Sequence, residues 1–237
     1  MKPTLSDTVR LWFVPVDVAD ADLTRYYGVL DEVERGRAAA LRHEIDRRRF
    51  VAAHGALRFI LGGELDAPPR EIRWVLGRHG KPPLDDQRAP AEVNLSHSGA
   101  FALVGIAATR PIGVDVQHLV PAMDASGMAT RFFPPDEARF VSTAGDVARR
   151  ADRFAHLWAR KEAVVKAGAG RLWRGLDMPV RGDATMLVWY EHGTPPGIYR
   201  LSDVPAPPGY RAAVALAGDA PYVVDVRRWG SMAATER

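Results

Sequence analysis

The chain contains no cysteine among its 237 residues. Disulfides, thiol nucleophiles and thiolate metal sites are therefore excluded, and the absence is typical of a reducing compartment. Long apolar runs are also missing, since no stretch approaches the roughly 18 residues that a membrane span needs. The first residues, Met1-Lys2-Pro3, lead into charged sequence without the apolar core of a signal peptide. These absences predict a cytoplasmic protein with no membrane partner.

Several common catalytic motifs are absent as well. No Walker-type loop and no Gly-x-Gly-x-x-Gly occur, which disfavours ordinary kinases and P-loop enzymes. No His-x-x-x-His is available for zinc, and Ser96-His97-Ser98-Gly99 does not form a nucleophile elbow. The net charge is only +3, with a pI near 9.4, so composition alone does not indicate a nucleic-acid partner.

What the chain does contain is the residue pattern of an α+β protein. Strands are predicted at 10–16, 72–76, 92–95, 101–108, 112–116, 185–190, 197–201, 210–217 and 222–226. Helices are predicted at 21–42, at 47–61 with Asp46 as N-cap and Gly62-Gly63 as its end, after Phe133-Pro134-Pro135, and over 154–166 with a stop at Gly168. Ser96–Gly99 is predicted to be a tight polar turn, 77–90 a loop, and 121–130 irregular.

An internal repeat divides the chain into two parts. When 102–116 is set over 212–226, seven of the fifteen positions are identical. We therefore expect two similar α/β halves, 1–112 and 113–237, related by pseudo-twofold symmetry. Each half would hold an antiparallel sheet with a long packed helix. Ligand sites favour the cleft between such halves.

One helical stripe carries both a carboxylate and an ammonium group. Phe154, Trp158, Glu162 and Lys166 recur every four residues and so share one helix face. In isolation, this pattern favours a surface ion pair over a core aromatic residue. The functional interpretation depends on residues elsewhere in the chain.

Asp115 and Gln117 are two such residues. They lie two apart on a predicted strand, so their side chains point to one face. Asp115 alone could cap a turn or pair with an arginine. Together with Glu162 it would form the carboxylate pair that Mg²⁺ accepts beside phosphate oxygens, and Lys166 would neutralise phosphate charge. His97 could donate to a phosphate or be an ordinary surface residue. An arginine cluster at 35–58 and Lys81, in a loop stiffened by Pro82, are further phosphate candidates.

Four motifs in register resemble the 4′-phosphopantetheinyl transferases, in the long, monomeric, pseudo-dimeric form that activates carrier proteins of peptide and polyketide synthases. The resemblance spans about 35–170 and is carried by Gly80-Lys81-Pro82, Asn94-Leu95-Ser96-His97-Ser98, Gly113-Val114-Asp115-Val116-Gln117 and Trp158-Ala159-Arg160-Lys161-Glu162-Ala163-x-x-Lys166. Each motif alone is a weak signal, whereas the four in this order are specific.

The resemblance implies a reaction and a set of roles. Coenzyme A would donate its phosphopantetheine to a carrier-protein serine, and 3′,5′-ADP would leave. Mg²⁺, with Mn²⁺ as the alternative, would be bound by Asp115 and Glu162, with Gln117 standing where the family often has a second acid. Glu162, Lys166 and His97 would be the catalytic residues. Coenzyme A would be held by Arg37, Arg49, Lys81, Pro82, Ser96, His97 and Lys166.

The partners implied are acyl and peptidyl carrier proteins of nonribosomal peptide, polyketide or fatty-acid synthases. Carrier proteins are usually acidic, so a basic or apolar docking surface would suit this protein. The segment 118–145, with Met123, Met128, Phe132 and Phe133, is a candidate for it, unless these side chains pack in the core. Three other functions remain open. They are a coenzyme A-binding regulatory module without activity, a coenzyme A pyrophosphate hydrolase, and a nucleic-acid-binding protein that uses the arginine cluster.

Overall fold

Eight strands and six α-helices make up the described part of the computed structural model, which comprises residues 8–73, 92–170, 175–182, 187–189 and 197–230. The strands are β1 (Thr8–Pro15), β2 (Glu92–Ser98), β3 (Phe101–Ala107), β4 (Ile112–His118), β5 (Leu187–Trp189), β6 (Gly197–Val204), β7 (Tyr210–Ala217) and β8 (Val223–Arg228). The helices are α1 (Asp20–Val29), α2 (Glu32–Ala39), α3 (Glu44–Leu65), α4 (Ala125–Phe132), α5 (Pro135–Ser142) and α6 (Val147–Ala167). The predicted α+β class is thus confirmed.

Two four-stranded sheets carry the fold. Their strand orders are β2-β3-β1-β8 and β4-β7-β6-β5. The expectation that both sheets are antiparallel is wrong at one pair, because β8 lies parallel to β1, with Thr8 opposite Val223. The last described strand therefore completes the sheet that contains the first. A pattern of alternating apolar residues identifies such a strand but not the sheet that it joins.

The apolar residues form three layers of core. Alternate residues of β1 point to opposite sides, so that Trp12 and Val14 pack under α1, α2 and α3, while Leu11 and Phe13 meet β4 and β7 between the sheets. The third cluster lies under α4, α5 and α6, where Leu157 and Val164 pack against the second sheet. The two sheets thus face each other and helices cover their outer sides. No helix in the described ranges is long and apolar enough to cross a membrane.

The helix boundaries differ from the sequence predictions in four places. Helix α6, predicted to begin at 154, begins at Val147, where the side chain of Asp146 accepts the N–H of Arg149. The predicted helix at 21–42 is two helices, because Leu30 is extended and Asp31 begins α2 with a capping box to Glu34. Helix α3 has His43 rather than Asp46 at its N-cap, and it continues through Gly62 and Gly63. A helical glycine costs only about 1 kcal/mol, less than the packing of this helix supplies. In the segment predicted to be irregular, Asp124 caps α4 by accepting the N–H of Gly127.

Several strands of the structure also differ from the sequence predictions. A 3₁₀ turn at Pro69–Glu71 precedes Ile72, which begins no strand, and 74–76 lie outside the described residues. Ser96, His97 and Ser98 belong to β2, so the tight turn is shorter than predicted and is made by Gly99 and Ala100. Gly99 has φ of 56°, a backbone conformation that glycine adopts without steric cost.

A buried ion pair ties α5 to α6. Lys161 is fully buried, with its Nζ 2.6 Å from Glu137 Oε2, and it also donates to the carbonyl of Met178. Glu137 Oε1 accepts the N–H groups of Val180 and Arg181 at 2.6 and 2.7 Å. The two charged side chains thus satisfy each other and three backbone groups of the segment 178–181, and Lys161 directly precedes Glu162 in α6.

We expect Glu137→Ala to lower the free energy of unfolding by about 3–5 kcal/mol, because it leaves a buried ammonium without its counter-charge. Urea titration measures this change, and Asp136→Ala, in an exposed neighbour, is the control with little effect. Adding Lys161→Met to Glu137→Ala should recover part of the loss. Recovery should be incomplete, because two N–H groups stay unpaired. A Glu137→Ala cost below about 1 kcal/mol would contradict this account.

Candidate active site

Four side chains meet where the end of α6 crosses β4 and β2. Lys166 Nζ lies 2.6 Å from Asp115 Oδ1, 3.0 Å from Glu162 Oε2 and 3.0 Å from Ser96 Oγ. The hydroxyl of Ser96 donates to Asp115 Oδ1 at 2.6 Å. The carboxylates that the sequence singled out thus flank one ammonium group at the junction of the two sheets.

The close approach of β4 to α6 depends on Gly113. A Cβ atom at this position would lie 2.0 Å from the carbonyl oxygen of Ala163 and 2.4 Å from the amide nitrogen of Ala167. Both contacts are with backbone, which has little freedom to move away. Glycine therefore lets the strand lie against the helix backbone, two residues before Asp115 and one helical turn from Lys166.

We expect Gly113→Ala to cost about 1–3 kcal/mol in the free energy of unfolding, as overpacking does, and to displace Asp115 from Lys166. Thermal denaturation and a crystal structure of the variant check the two effects. Gly36→Ala is the matched control, because nothing lies within 4 Å of a Cβ built there in α2, where alanine favours the helix. A variant as stable as the wild-type protein would show that the close contact is not needed.

A row of polar side chains joins the two sheets next to this site. The N–H groups of Val114, Val116 and His118 on β4 donate to Asn94 Oδ1, Ser96 Oγ and Ser98 Oγ on β2, at 2.9, 3.4 and 3.0 Å. β2 and β4 are edge strands of different sheets. Their edges are thus joined through side chains instead of a backbone ladder, which fixes Asp115 relative to Ser96. A period of two in Asn94, Ser96 and Ser98 is the sequence signal that could have indicated this contact.

The buried setting shifts the ionisation of both charged partners at the centre. Burial raises the pKa of Asp115 to about 7; the charge of Lys166 opposes this rise and that of Glu162 adds to it. Burial would lower the pKa of Lys166, but the charges of Asp115 and Glu162 outweigh it and raise the pKa above its usual value. The ammonium therefore stays charged, while Asp115 is held near the point at which it gains a proton.

One oxygen at the site has no partner. Asp115 is 2% exposed, and its Oδ2 is buried without a hydrogen bond in the described structure. An unpaired buried carboxylate oxygen is costly, and a cation is the ligand that such an oxygen suits. Within the described ranges, no three His, Cys, Asp or Glu side chains gather into a metal-ligand cluster. Two carboxylates fit Mg²⁺, which retains several waters and takes phosphate oxygens as further ligands.

Trp158 holds Glu162 from the side away from Lys166. Its indole N–H donates to Glu162 Oε1 at 2.7 Å, and its ring packs on Phe154 at 5.4 Å between centroids. Sequence periodicity placed Trp158 on the face of Glu162, but did not reveal this hydrogen bond. Each oxygen of Glu162 thus has a donor, so the carboxylate is oriented by the protein alone.

The remaining predicted residues lie on neighbouring elements. Gln117 is half-buried two residues beyond Asp115, and its side-chain amide makes a long contact of 3.5 Å to the carbonyl of His118. His97 is exposed on the α3 side of β2. The surrounding protein lowers the pKa of His97 by reducing its hydration, and the charges of His54 and Lys166 add to this effect.

The two predicted arginines line this same side. Arg49 makes a bidentate pair with Asp17, at 2.8 and 3.1 Å, which lowers the pKa of Asp17 mainly through the hydrogen bond. Arg37 places its guanidinium 5.7 Å from the ring centre of Phe50, and that ring stacks on His54. Asp17 was not anticipated, because its partner Arg49 comes from a distant part of the chain. The stacking of His54 on Phe50 is a local contact, four residues apart on α3, that the sequence analysis missed. Lys81 and Pro82 lie outside the described residues.

The profile described as "4'-phosphopantetheinyl transferase superfamily" matches residues 111–203. That range includes Asp115, Glu162 and Lys166, the three charged residues that meet at the site.

The similarity to curated relatives extends into the first half of the chain. The 4′-phosphopantetheinyl transferase HetI of Nostoc sp. is 38% identical over 165 residues, 69% of each chain. The Synechocystis sp. protein slr0495, named provisionally as an enzyme of the same kind, is 32% identical over 173 residues, covering 72% of this chain and 69% of its own. The 4′-phosphopantetheinyl transferase psf-1 of Bacillus pumilus is 32% identical over 134 residues, 56% of this chain and 55% of its own.

Proposed function

This chain belongs to the 4′-phosphopantetheinyl transferase superfamily and is an enzyme of that kind, and we propose that coenzyme A is its donor and a carrier-protein serine its acceptor. In this reaction the serine oxygen forms a bond to the β-phosphorus of coenzyme A. The pyrophosphate P–O bond breaks and 3′,5′-ADP leaves with the electron pair, while the serine proton passes to a base. The observation that carries the proposal is the contact of Lys166 with both Asp115 and Glu162 in a buried junction.

Mg²⁺ is the proposed cofactor, with Mn²⁺ as the alternative, and Asp115 and Glu162 are the residues that would hold it. The unpaired, buried Oδ2 of Asp115 supports this assignment. When bound, the metal supplies positive charge that stabilises the pyrophosphate during transfer. Gln117 would assist through its neutral side chain, directly or through a water.

The protein's own residues position the reactants and handle the proton. Phosphoryl transfer depends mainly on positioning and on stabilising charge. Lys166 would donate to a phosphate oxygen, since its raised pKa keeps it charged. Glu162 would accept the serine proton, because Trp158 fixes one of its oxygens and leaves the carboxylate oriented.

Coenzyme A is proposed to lie along α2, α3 and the end of β2. Arg37 and Arg49, with Lys81 and Pro82, would hold its 3′-phosphate and adenine. Ser96 and His97 would reach its phosphates. The position of His97 beside Lys166 and Arg49, as reflected in the charges that lower its pKa, supports a common anion-binding side.

The proposed partners are acyl or peptidyl carrier proteins of nonribosomal peptide, polyketide or fatty-acid synthases. In the segment 118–145, Met123, Met128 and Phe132 are half-buried against the core under α6 and Phe133 is buried. The packing alternative therefore holds for Phe133, and the half-buried side chains remain candidates for docking. A nucleic-acid partner is not proposed, since an acidic pair at the site would repel phosphate without a cation.

We further propose that the enzyme is a cytoplasmic monomer whose halves, 1–112 and 113–237, are related by a pseudo-twofold axis. The repeat supports this relation, because its shift maps β3 onto β7 and β4 onto β8. In each copy the chain also passes from one sheet to the other between the two strands. The parallel pairing of β8 departs from strict symmetry.

Mass spectrometry of an apo carrier protein, incubated with the enzyme, coenzyme A and Mg²⁺, tests the proposal. We expect one phosphopantetheine to be added to a serine, and the gain to disappear with EDTA. Release of 3′,5′-ADP without a modified carrier would instead indicate a pyrophosphate hydrolase. Coenzyme A binding without either product would indicate a regulatory module.

Gln117→Glu is expected to raise transfer at limiting Mg²⁺ by severalfold, because a third carboxylate strengthens the attraction for the cation. The measurement is initial rate against Mg²⁺ concentration. The gain should vanish at saturating metal. Asp219→Glu, exposed between β7 and β8, is the control for an altered acidic side chain. A shift of the Gln117→Glu curve to higher Mg²⁺ would place Gln117 away from the metal.

A further inference from the structure

A cavity lies on the first half of the protein, away from the four side chains of the candidate active site. It has a volume of about 590 Å³, is open to solvent on one side and is bounded by α1, α2 and α3. Leu23, Tyr27, Ala38 and Val51 contribute its apolar wall. This volume is usual for small-molecule sites, and charged side chains from all three helices accompany the apolar wall.

The cavity uses a different face of α3 from the proposed coenzyme A side. Glu44, Arg47, Arg48 and Val51 line it, at the spacing of one helix face. Arg49 and Phe50, which contact Asp17 and His54, are rotated away by roughly 100° per residue along the chain. The cavity is therefore separate from the transferase site, and nothing in the proposed reaction uses it.

The cavity wall contains more positive than negative side chains. Arg48 pairs with Asp20 at 2.7 Å, and Arg47 pairs with Glu44 at 2.9 Å. Arg35 has no carboxylate partner within the described structure, and its Nη2 makes only contacts of 3.5 Å to the carbonyls of Tyr27 and Gly28. Three guanidinium groups and two carboxylates line the cavity, which leaves a single positive charge in excess.

Unused hydrogen-bond donors and an open aromatic face accompany this charge. The Nε atoms of Arg35 and Arg47 are buried and have no acceptor in the described residues. The Arg35 guanidinium lies 5.1 Å from the ring centre of Tyr27, a side chain that is 47% exposed. An acceptor that satisfies these N–H groups, attached to an apolar body that covers Tyr27, would match both features.

We infer that this cavity binds a small organic monoanion, in which a carboxylate meets Arg35 and a flat apolar body lies against Tyr27 and Leu23. A single excess positive charge favours a carboxylate over a dianionic phosphate. The inference goes beyond the proposed transfer reaction and does not require it.

Saturation-transfer NMR and calorimetry with naphthalene-2-carboxylate as the probe test this inference on the full chain. We expect saturable binding that is tighter than that of naphthalene-2-carboxamide, which lacks the charge, and of 2-naphthyl phosphate. Arg35→Gln should weaken carboxylate binding by roughly tenfold or more, as loss of a charge-assisted hydrogen bond does. Arg25→Gln, on α1 outside the cavity wall, is the matched control and should leave affinity unchanged.

A second variant, Ala39→Trp, tests whether the probe binds inside this cavity. Ala39 is exposed and lines the cavity, so Ala39→Trp should fill it and abolish binding while thermal stability stays close to that of the wild-type protein. No saturable binding, equal binding of the carboxamide, or undiminished binding to Ala39→Trp would each overturn the inference. Displacement of the probe by coenzyme A would assign the cavity to the transferase site and overturn it as well.

Discussion

Glu162→Gln is expected to reduce phosphopantetheine transfer by a factor on the order of 10³, the scale on which a preorganised charge-stabilising group acts. Glu162 accepts from Trp158 and Lys166 on its two oxygens. A glutamine of the same shape loses the charge that would hold Mg²⁺ and the basicity that would take the serine proton. The measurement is the initial rate of carrier modification at saturating coenzyme A.

The fold should tolerate this change, because Glu162 is only half-buried and the substitution conserves volume. Glu32→Gln, exposed in the first turn of α2, is the matched control and should transfer at the wild-type rate. If Glu162→Gln retained more than about a third of the wild-type rate, Glu162 would be neither base nor metal ligand. Equal thermal stability of the two variants would separate lost chemistry from lost structure.

Asp115→Asn should lose transfer by about 10²–10³-fold and yet make the metal-free protein more stable near neutral pH. Burial raises the pKa of Asp115 to about 7 in the folded state, above the roughly 3.9 of an unfolded chain. The folded protein then binds the extra proton between these values, so the wild-type protein loses stability as pH rises from about 4 to 7. Asparagine carries no such penalty and can still accept from Ser96 and Lys166.

The test is urea unfolding of both proteins in EDTA at pH 4, 5.5, 7 and 8.5. We expect the variant's advantage to grow up to pH 7 and then to level off. An advantage that grew as pH fell would reverse the sign and show that Asp115 is stabilised as an anion. Unfolding at pH 8.5 with added Mg²⁺ should narrow the gap, since a ligand that binds only the folded wild-type protein stabilises it.

The local part of this site is readable from sequence. A period of four placed Glu162 and Lys166 on one face of a helix, and a period of two placed Asp115 and Gln117 on one face of a strand. The structure has both arrangements, and it brings the helix and the strand together. Periodicity succeeds here because it depends on backbone geometry alone.

Contacts between distant segments were not readable in the same way. The pairing of Arg49 with Asp17 depends on how α3 lies beside the end of β1, and no local pattern encodes that. Asp46 looked like an N-cap by residue type, but His43 takes the position because the helix begins one turn earlier. The turn at Ser96–Gly99 was misplaced because serine is common in turns, whereas Ser96 and Ser98 here accept N–H groups across a sheet junction.

The parallel strand β8 has a consequence for how the protein is made. β1 leaves the ribosome long before its partner β8, which lies much later in the chain, and the backbone N–H of Trp229 also donates to the carbonyl of Phe13. Until β8 arrives, one side of β1 is an open strand edge, which is a site for aggregation. Contacts of such long sequence separation also slow folding. We therefore expect the two halves to fold as one cooperative unit after synthesis, and a chain cut after residue 112 to aggregate unless the second half is supplied.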